Sequence, residues 1–349
     1  GHSRAFAFHA ALATMAVLLH PLWVSPWAWG VLRILTGIAL VGLYTVIESW
    51  LNAEPDPQRR SRVFSLYMVI NLSALALGQV LLMLGDAGSA TLFTVIALLV
   101  CAAMLPVTAT RLRQPEVPSV PRLTLSRLYA VAPVATVAAG LSGLAMGAFW
   151  GLLPVFAAQI GLQGNGVPTF MLVAILGGAL LQWPLGRISD GHDRRLGLLA
   201  LSLAAAGIAA MAALPPIQQQ LHLMFGLVFL YGGLVFALYP FAVAHMLDYL
   251  PSEDLLSGCS SLLLVHGVGA AVGPALAGVL MDRLGAPALP LYFATVLGLL
   301  AAFTALRLLS FARLRTHPAP FRLMLRTTPS ALELMPETET PVHNDKEVH

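Results

Sequence analysis

The connection between two long apolar stretches, residues 186–195 (GRISDGHDRR), concentrates charged side chains of both signs. Asp190 stands near the start of a turn, where a carboxylate can accept hydrogen bonds from the N-terminus of a neighbouring helix. Arg194 and Arg195 are suited to ion pairs with acids at the end of another helix, and Asp248 is the natural partner. These residues predict a latch made of ion pairs. The alternative is that the arginines only fix the topology of the chain.

Arg33 and His266 lie inside apolar stretches, where charge is expensive in a bilayer. Arg33 either snorkels to the nearer membrane surface or faces inward, where it attracts an anionic group or tunes a neighbouring protonation. His266 either carries a coupling proton, since histidine titrates near neutral pH, or is a neutral structural residue. At about 100° per residue, Arg33 shares one helical stripe with Gly37, Tyr44 and Glu48.

Uncharged polar and aromatic residues inside the apolar stretches are the remaining binding candidates. They either hydrogen-bond or stack on a bound solute, or they only join neighbouring helices. These candidates are Tyr44, Asn71, Trp150, Gln182 and Tyr239. The stretch 128–159 is predicted either to bend or to pack closely on another helix, because it contains Gly140, Gly143, Gly147, Gly151 and Pro154.

The chain that holds these residues has the composition of a polytopic membrane protein. Of its 349 residues, 58% are hydrophobic and 10% are charged, against about 25% charged in a typical soluble domain. A helix needs about 20 predominantly apolar residues to cross a bilayer. About ten stretches approach or exceed that length, near 5–20, 27–48, 63–84, 90–110, 128–159, 167–186, 196–214, 221–246, 256–281 and 288–310. The sequence therefore predicts an all-α polytopic membrane protein.

The chain lacks the sequence motifs of other function classes. The chain has no glycine-rich phosphate loop, no GxSxG motif and no Cys/His cluster, so we expect no enzymatic activity, no cofactor and no metal. Cys101 and Cys259 lie inside apolar stretches and are expected to be core residues rather than a disulfide. The arginines lie in short loops beside the membrane, which argues against nucleic-acid binding. The expected partners are the bilayer, a small solute and, as an option, protons; we expect a monomer.

Basic residues fall on alternate connections. Arginines occupy the connections near 52–62, 111–127 and 186–195 and the tail, whereas no lysine or arginine occurs in 20–26, 85–89, 160–167 or 214–220. Arg283 is the exception on that side. The positive-inside rule therefore places both termini in the cytoplasm, and we expect a bacterial inner membrane.

The chain contains two related halves. A shift of 195 residues aligns Gly37 with Gly232, Tyr44 with Tyr239, Asn71 with His266, and Gly78 with Gly273. Parallel repeats of this kind occur in transporters built from two related bundles. The proline-rich segment RQPEVPSVPR separates the two halves. We predict an N-terminal bundle at 1–110, a cytoplasmic linker at 111–127, a C-terminal six-helix bundle at 128–310 and a disordered tail at 311–349.

These features resemble the major facilitator superfamily over residues 1 to about 310. The loop signature of that family, G-x-x-x-D-x-x-G-R-K/R, is matched by Gly186, Asp190, Arg194 and Arg195, with Asp193 in place of the second glycine. Its R-x-x-x-G signature is matched by Arg33 and Gly37, and its glycine- and proline-rich signature by Gly269, Gly273, Pro274 and Gly278. The segment 48–52 (ESWLN) is similar to the YcaD-like branch of the superfamily.

The resemblance implies twelve helices in two pseudo-symmetric bundles around a cavity. It also implies secondary active transport of a small solute by alternating access, with proton coupling as an option in which Arg33 takes part. We therefore expect two further helices before Gly1. On the same basis, Glu48 is expected to join the latch by pairing with an arginine of the first-half loop, Arg4 or one upstream. The alternative function is a polytopic channel or receptor without coupled transport.

Overall fold

The computed structural model describes residues 2–52, 57–85, 88–110, 124–189, 193–251 and 254–310. Over those ranges the ordered secondary structure is entirely helical. The helices are α1 (His2–Leu19), α2 (Pro26–Asn52), α3 (Pro57–Met83), α4 (Ala90–Ala109), α5 (Leu125–Val131), α6 (Pro133–Gln159), α7 (Gly166–Ser189), α8 (Arg194–Ala212), α9 (Pro215–Gln218), α10 (Leu221–Leu247), α11 (Leu255–Leu284) and α12 (Ala288–Ser310).

Nine helices of the described part of the chain are long and apolar enough to cross a membrane: α2, α3, α4, α6, α7, α8, α10, α11 and α12. The predicted all-α membrane fold is confirmed. The first predicted stretch, near 5–20, forms α1, which lies outside these nine. Its 18 residues fall short of the roughly 20 that a span needs, and they include His2, Arg4 and His9.

Two connections are shorter than the sequence predicts. Helix α3 begins at Pro57, so Arg59 and Arg62 lie in its first two turns rather than in a loop 52–62. Helix α7 continues to Ser189, so Gly186 belongs to its last turn rather than to a loop 186–195. Apolar length marks the membrane-crossing part of a helix, but a helix can continue beyond it with polar residues.

The stretch 128–159 forms two helices rather than one bent helix. Ala132 separates α5 from α6, with φ −132° and ψ 67°, because it precedes Pro133 and a residue before proline is disfavoured in helical geometry. Helix α6 is continuous through its glycines and Pro154. Its glycines pack closely on α11, as the alternative predicts, and a bend at these glycines stays a prediction.

Two helix pairs in the second half approach each other at glycines. A side chain added at Gly147 of α6 would overlap the carbonyl oxygen of Ala270 in α11, and one added at Gly273 would overlap that of Leu144. In the same way, Gly232 of α10 faces the backbone of Ala174 in α7. Contacts between small residues substitute for the hydrophobic driving force that lipid does not supply.

The remaining helices surround this core. Helix α12 packs on α8, and α1 packs on α2 and α4. Helix α3 packs on α7 and joins the two halves, since Phe64 and Met68 are buried in the same cluster as Phe149 and Phe236.

Candidate functional site

Charged side chains from several helices meet at one end of the second half. We call it the arginine end; it comprises the starts of α6, α8 and α11 and the ends of α7, α10 and α12. Arg194, the first residue of α8, places Nε 3.5 Å from Oδ2 of Asp248, which follows α10. Their side chains are only 4% and 2% exposed. Because a buried charge without its counterion is costly, this buried pair holds α8 against α10.

Arg195 pairs with an acid at its own helix end. Its Nη2 lies 2.8 Å from Oδ2 of Asp193, and its backbone N–H donates to Oδ1 of Asp193 at 3.0 Å. Asp193 is the N-cap of α8, where a carboxylate satisfies a free backbone N–H group. The aspartate that stands in place of the family glycine thus starts the helix and holds Arg195.

A second ion pair joins two helices at the arginine end. Arg127 Nη2 of α5 donates to Oδ2 of Asp254, the N-cap residue of α11, at 2.7 Å. The Arg127 side chain is 61% exposed, so water screens this pair far more than the buried one. The sequence places Arg127 on an arginine-bearing connection and Asp254 on the acidic connection 247–254, and it does not predict their pairing.

The other predicted latch residues occupy different surroundings. Asp190 lies outside the described residues. Gly186 is buried in the last turn of α7. Glu48 is fully buried near the end of α2, and its Oε1 accepts a hydrogen bond from the Tyr67 hydroxyl of α3 at 3.0 Å. The expected partner was an arginine such as Arg4, whose side chain is exposed.

A polar group lies between α6, α10 and α11 of the second half. His266 Nδ1 of α11 is 3.2 Å from the Ala139 carbonyl oxygen and 3.3 Å from the Ser142 hydroxyl, both on α6. A carbonyl oxygen only accepts, so this contact places a proton on Nδ1 and leaves Nε2 as the basic nitrogen of the neutral ring. The ring of Tyr239 in α10 packs against the imidazole at a centroid distance of 4.5 Å.

Gln182 and Trp150 converge on the same helix, α10, one turn away from Tyr239. Gln182 Nε2 donates to the backbone oxygen of Phe236 at 3.3 Å, and the Trp150 ring packs on the Phe236 ring at 5.8 Å. Gln182 is fully buried, and its Oε1 has no hydrogen-bond partner in the described part of the chain. A buried amide oxygen left unpaired is costly, which makes it a candidate acceptor for a bound group.

The first-half candidates do not form such a group. The Arg33 side chain is exposed on α2 and has no ion pair or hydrogen bond to any described residue. Asn71 donates to the backbone oxygen of Tyr67 in its own helix, at 2.9 Å, and Tyr44 is half-buried. The predicted stripe therefore runs from an exposed arginine to a buried Glu48 along α2.

Two residues of these sites were not singled out by sequence. Ser142 lies in an alanine- and glycine-rich helix and reads as a small packing residue, and Tyr67 was only one of several tyrosines in apolar stretches. No sequence signal pointed to their partners, because both contacts cross between helices distant in sequence. Over the described ranges, no three His, Cys, Asp or Glu side chains lie close enough together to hold a metal ion.

Comparison with known proteins agrees with this architecture. The sequence profile of the Major Facilitator Superfamily matches residues 135–332. The chain is similar to the uncharacterized MFS-type transporter YcaD of Escherichia fergusonii, with 24% identity over 289 residues, 81% of this chain and 73% of that protein. It is similar to the uncharacterized MFS-type transporter Ent638_1421 of Enterobacter sp. strain 638, with 25% identity over 311 residues, 86% of this chain and 76% of that protein.

Solved structures show the same fold at lower sequence identity. A crystal structure of the Escherichia coli fucose:proton symporter FucP superposes with a TM-score of 0.50 at 14% identity, covering 88% of this chain and 84% of that one. A crystal structure of FucP in the outward conformation gives a TM-score of 0.51 at 13% identity, with 88% and 83% coverage.

Proposed function

Since this chain belongs to the major facilitator superfamily, it is an integral membrane transporter rather than an enzyme, and we propose that it moves a small solute by alternating access of two helix bundles. The observation that carries this proposal is the polar group of α6, α7, α10 and α11. Polar side chains are expensive inside a membrane, and His266, Tyr239, Gln182 and Trp150 meet there around one segment of α10.

The solute site comprises these four side chains together with Arg33, Tyr44 and Asn71 of the first half. Gln182 Oε1 is the hydrogen-bond acceptor for a donor group on the solute. Trp150 and Tyr239 supply aromatic faces, and Arg33 supplies positive charge. A small polar solute with both donor groups and an apolar face fits this set of side chains.

His266 is the proposed site of proton coupling. Its Nδ1 is engaged with the Ala139 carbonyl, so an additional proton enters at Nε2 and converts the ring to a cation. Support comes from the position of this imidazole inside the polar group and from the likeness to FucP, which is described as a fucose:proton symporter.

We propose that the buried pair of Arg194 and Asp248 is the latch of the arginine end. We place this end on the cytoplasmic side of a bacterial inner membrane. Topology alone requires arginines but no aspartate at position 248. The latch includes Gly186 at the end of α7, the helix-capping pair of Asp193 and Arg195, and Asp190; Glu48 is its first-half member. In the proposed cycle the contact of Arg194 with Asp248 forms when the arginine end is closed and separates when it opens.

Transport and coupling are tested separately in proteoliposomes containing the full chain and an internal pH dye. A solute panel is screened with and without a pH gradient. We expect saturable uptake of one solute and inward proton movement that accompanies it. His266→Gln removes the proton movement while exchange of labelled solute continues, and His222→Gln, an exposed histidine on α10, leaves both intact. Saturable uptake that does not depend on the pH gradient refutes proton coupling but not transport. Absence of saturable uptake across the panel refutes the proposed transport.

The latch is tested with a thiol that the protein already carries. Cys259 is buried beside Met246 and Leu250 at the arginine end, so its maleimide reactivity reports opening of that end. In a Cys101→Ser background, Asp248→Asn is expected to label faster than the parent, and Asp254→Asn, which breaks the exposed pair, labels at nearly the parent rate. Equal labelling of Asp248→Asn and the parent contradicts the latch.

Orientation is tested with one cysteine at each end of the bundle. In a background where Cys101 and Cys259 are replaced by serine, Gln219→Cys is expected to react with an impermeant maleimide on intact cells. Arg187→Cys is expected to react only after the membrane is permeabilised. The reverse pattern contradicts a cytoplasmic arginine end.

A further inference from the structure

A half-open cavity lies at the arginine end, apart from the polar group of α6, α7, α10 and α11. Its polar wall consists of Arg195 of α8, His245 and Tyr249 at the end of α10, and Arg307 in the last turn of α12. Its apolar wall is formed by Val131 and Pro133, where α5 meets α6. Five helices, α5, α6, α8, α10 and α12, therefore contribute to one pocket at the end of the bundle.

The polar wall is cationic and held in place. Arg307 Nη2 donates to the Tyr129 hydroxyl at 3.3 Å, and Arg195 is oriented by Asp193, the acid that faces it. His245 is 3% exposed and its ring packs edge-on against Tyr249 at 5.0 Å. Guanidinium groups that are already oriented lose little freedom when they bind a planar or tetrahedral oxyanion.

We propose that this pocket binds the phosphate headgroup of an anionic phospholipid. A basic pocket between the ends of membrane-spanning helices meets lipid headgroups at their own depth. The apolar wall of Val131 and Pro133 suits the glycerol and the first acyl carbons, which a soluble phosphate lacks. The half-open shape lets the acyl chains remain in the bilayer. This site is independent of which solute the protein transports.

The test is a binding titration by native mass spectrometry of the full chain in detergent. The probes are dioleoylphosphatidylglycerol, dioleoylphosphatidylcholine and inorganic phosphate. We expect phosphatidylglycerol to bind more tightly than phosphatidylcholine. Arg307→Gln should weaken its binding about tenfold, the loss expected for one charge-assisted contact. Arg283→Gln is the matched control, because it removes the same charge from an exposed residue near the opposite end of α11.

Two further variants keep the result decisive if Arg307→Gln alters folding. Arg307→Lys retains the charge and should keep the preference for phosphatidylglycerol. Val131→Glu places an acid at the apolar wall and should weaken phosphatidylglycerol binding without removing an arginine. Equal affinity for the two lipids, or equal losses in Arg307→Gln and Arg283→Gln, overturns the proposal. Displacement of the lipid by millimolar inorganic phosphate identifies a soluble anion as the occupant and also overturns it.

Discussion

Helices α2–α4 and α6–α12 are similarly apolar but differ in how they pack. Between 6% and 17% of the residues in the spans of α2, α3 and α4 are buried within the protein, against 22–56% in the spans of the second half. Apolar composition therefore predicts that a helix crosses the membrane but not that it is buried among other helices. In a bilayer, lipid satisfies an apolar surface as well as a neighbouring helix does.

The aligned glycines of the two halves make the contrast specific. Gly232 and Gly273 lie against the backbones of α7 and α6, whereas the spaces beside their repeat partners Gly37 and Gly78 are open for at least 4 Å. The same residue at equivalent positions thus has two roles. Glycine permits close approach of two helices, but a close pair exists only where a second backbone faces it.

The largest effect is expected for the buried pair of Arg194 and Asp248, because its loss should lower the free energy of unfolding the most. Asp248→Leu leaves the Arg194 guanidinium in a site that is 4% exposed, so we expect the free energy of unfolding to fall by about 3–5 kcal/mol. Reversible unfolding in mixed micelles measures the change. Adding Arg194→Met to Asp248→Leu removes the stranded charge and should recover most of the loss. If the double variant is as unstable as the single one, desolvation of Arg194 is not the cause.

A second challenge compares equivalent glycines in the two halves. Gly273→Val should lower the free energy of unfolding by about 1–3 kcal/mol, because the new side chain meets the Leu144 carbonyl of α6. Gly78→Val enters open space on α3 and should change stability little. The pair matches in residue type, in substitution and in repeat position. Comparable losses in both variants would show that the glycine positions are equally packed, which removes the contrast between the halves.

Much of the fold was predictable because membrane spans are encoded by continuous apolar length. All nine membrane-crossing helices fall on predicted stretches, and the contact of Arg194 with Asp248 follows from charges at the ends of two spans. Contacts within a single helix explain the pairings that the sequence did not predict. Arg195 pairs with a carboxylate two residues away, and Asn71 hydrogen-bonds to the backbone of its own helix. A helix can also extend beyond its apolar stretch, as α3 and α7 do.

The polar group shows a different limit of sequence reasoning. The sequence singled out His266, Tyr239, Gln182 and Trp150 one at a time, as polar residues in apolar stretches. Their convergence depends on which helices are neighbours, and that is determined by the glycine contacts of α6 with α11 and of α7 with α10. The partner serine, Ser142, carries no signal of its own in an alanine-rich helix.

The smallest expected effect concerns the exposed pair, and it sharpens the comparison within the arginine end. Arg127→Gln should lower the free energy of unfolding by only about 0.2–1 kcal/mol, since water screens a side chain that is 61% exposed. Raising the salt from about 0.1 M to 1 M shortens the screening length from about 10 Å to 3 Å and should abolish even this difference. The deficit of Asp248→Leu should persist in the same salt, because the buried pair is shielded from the counterions. A salt-insensitive deficit for Arg127→Gln would mean that this arginine stabilises α5 by packing rather than by its charge.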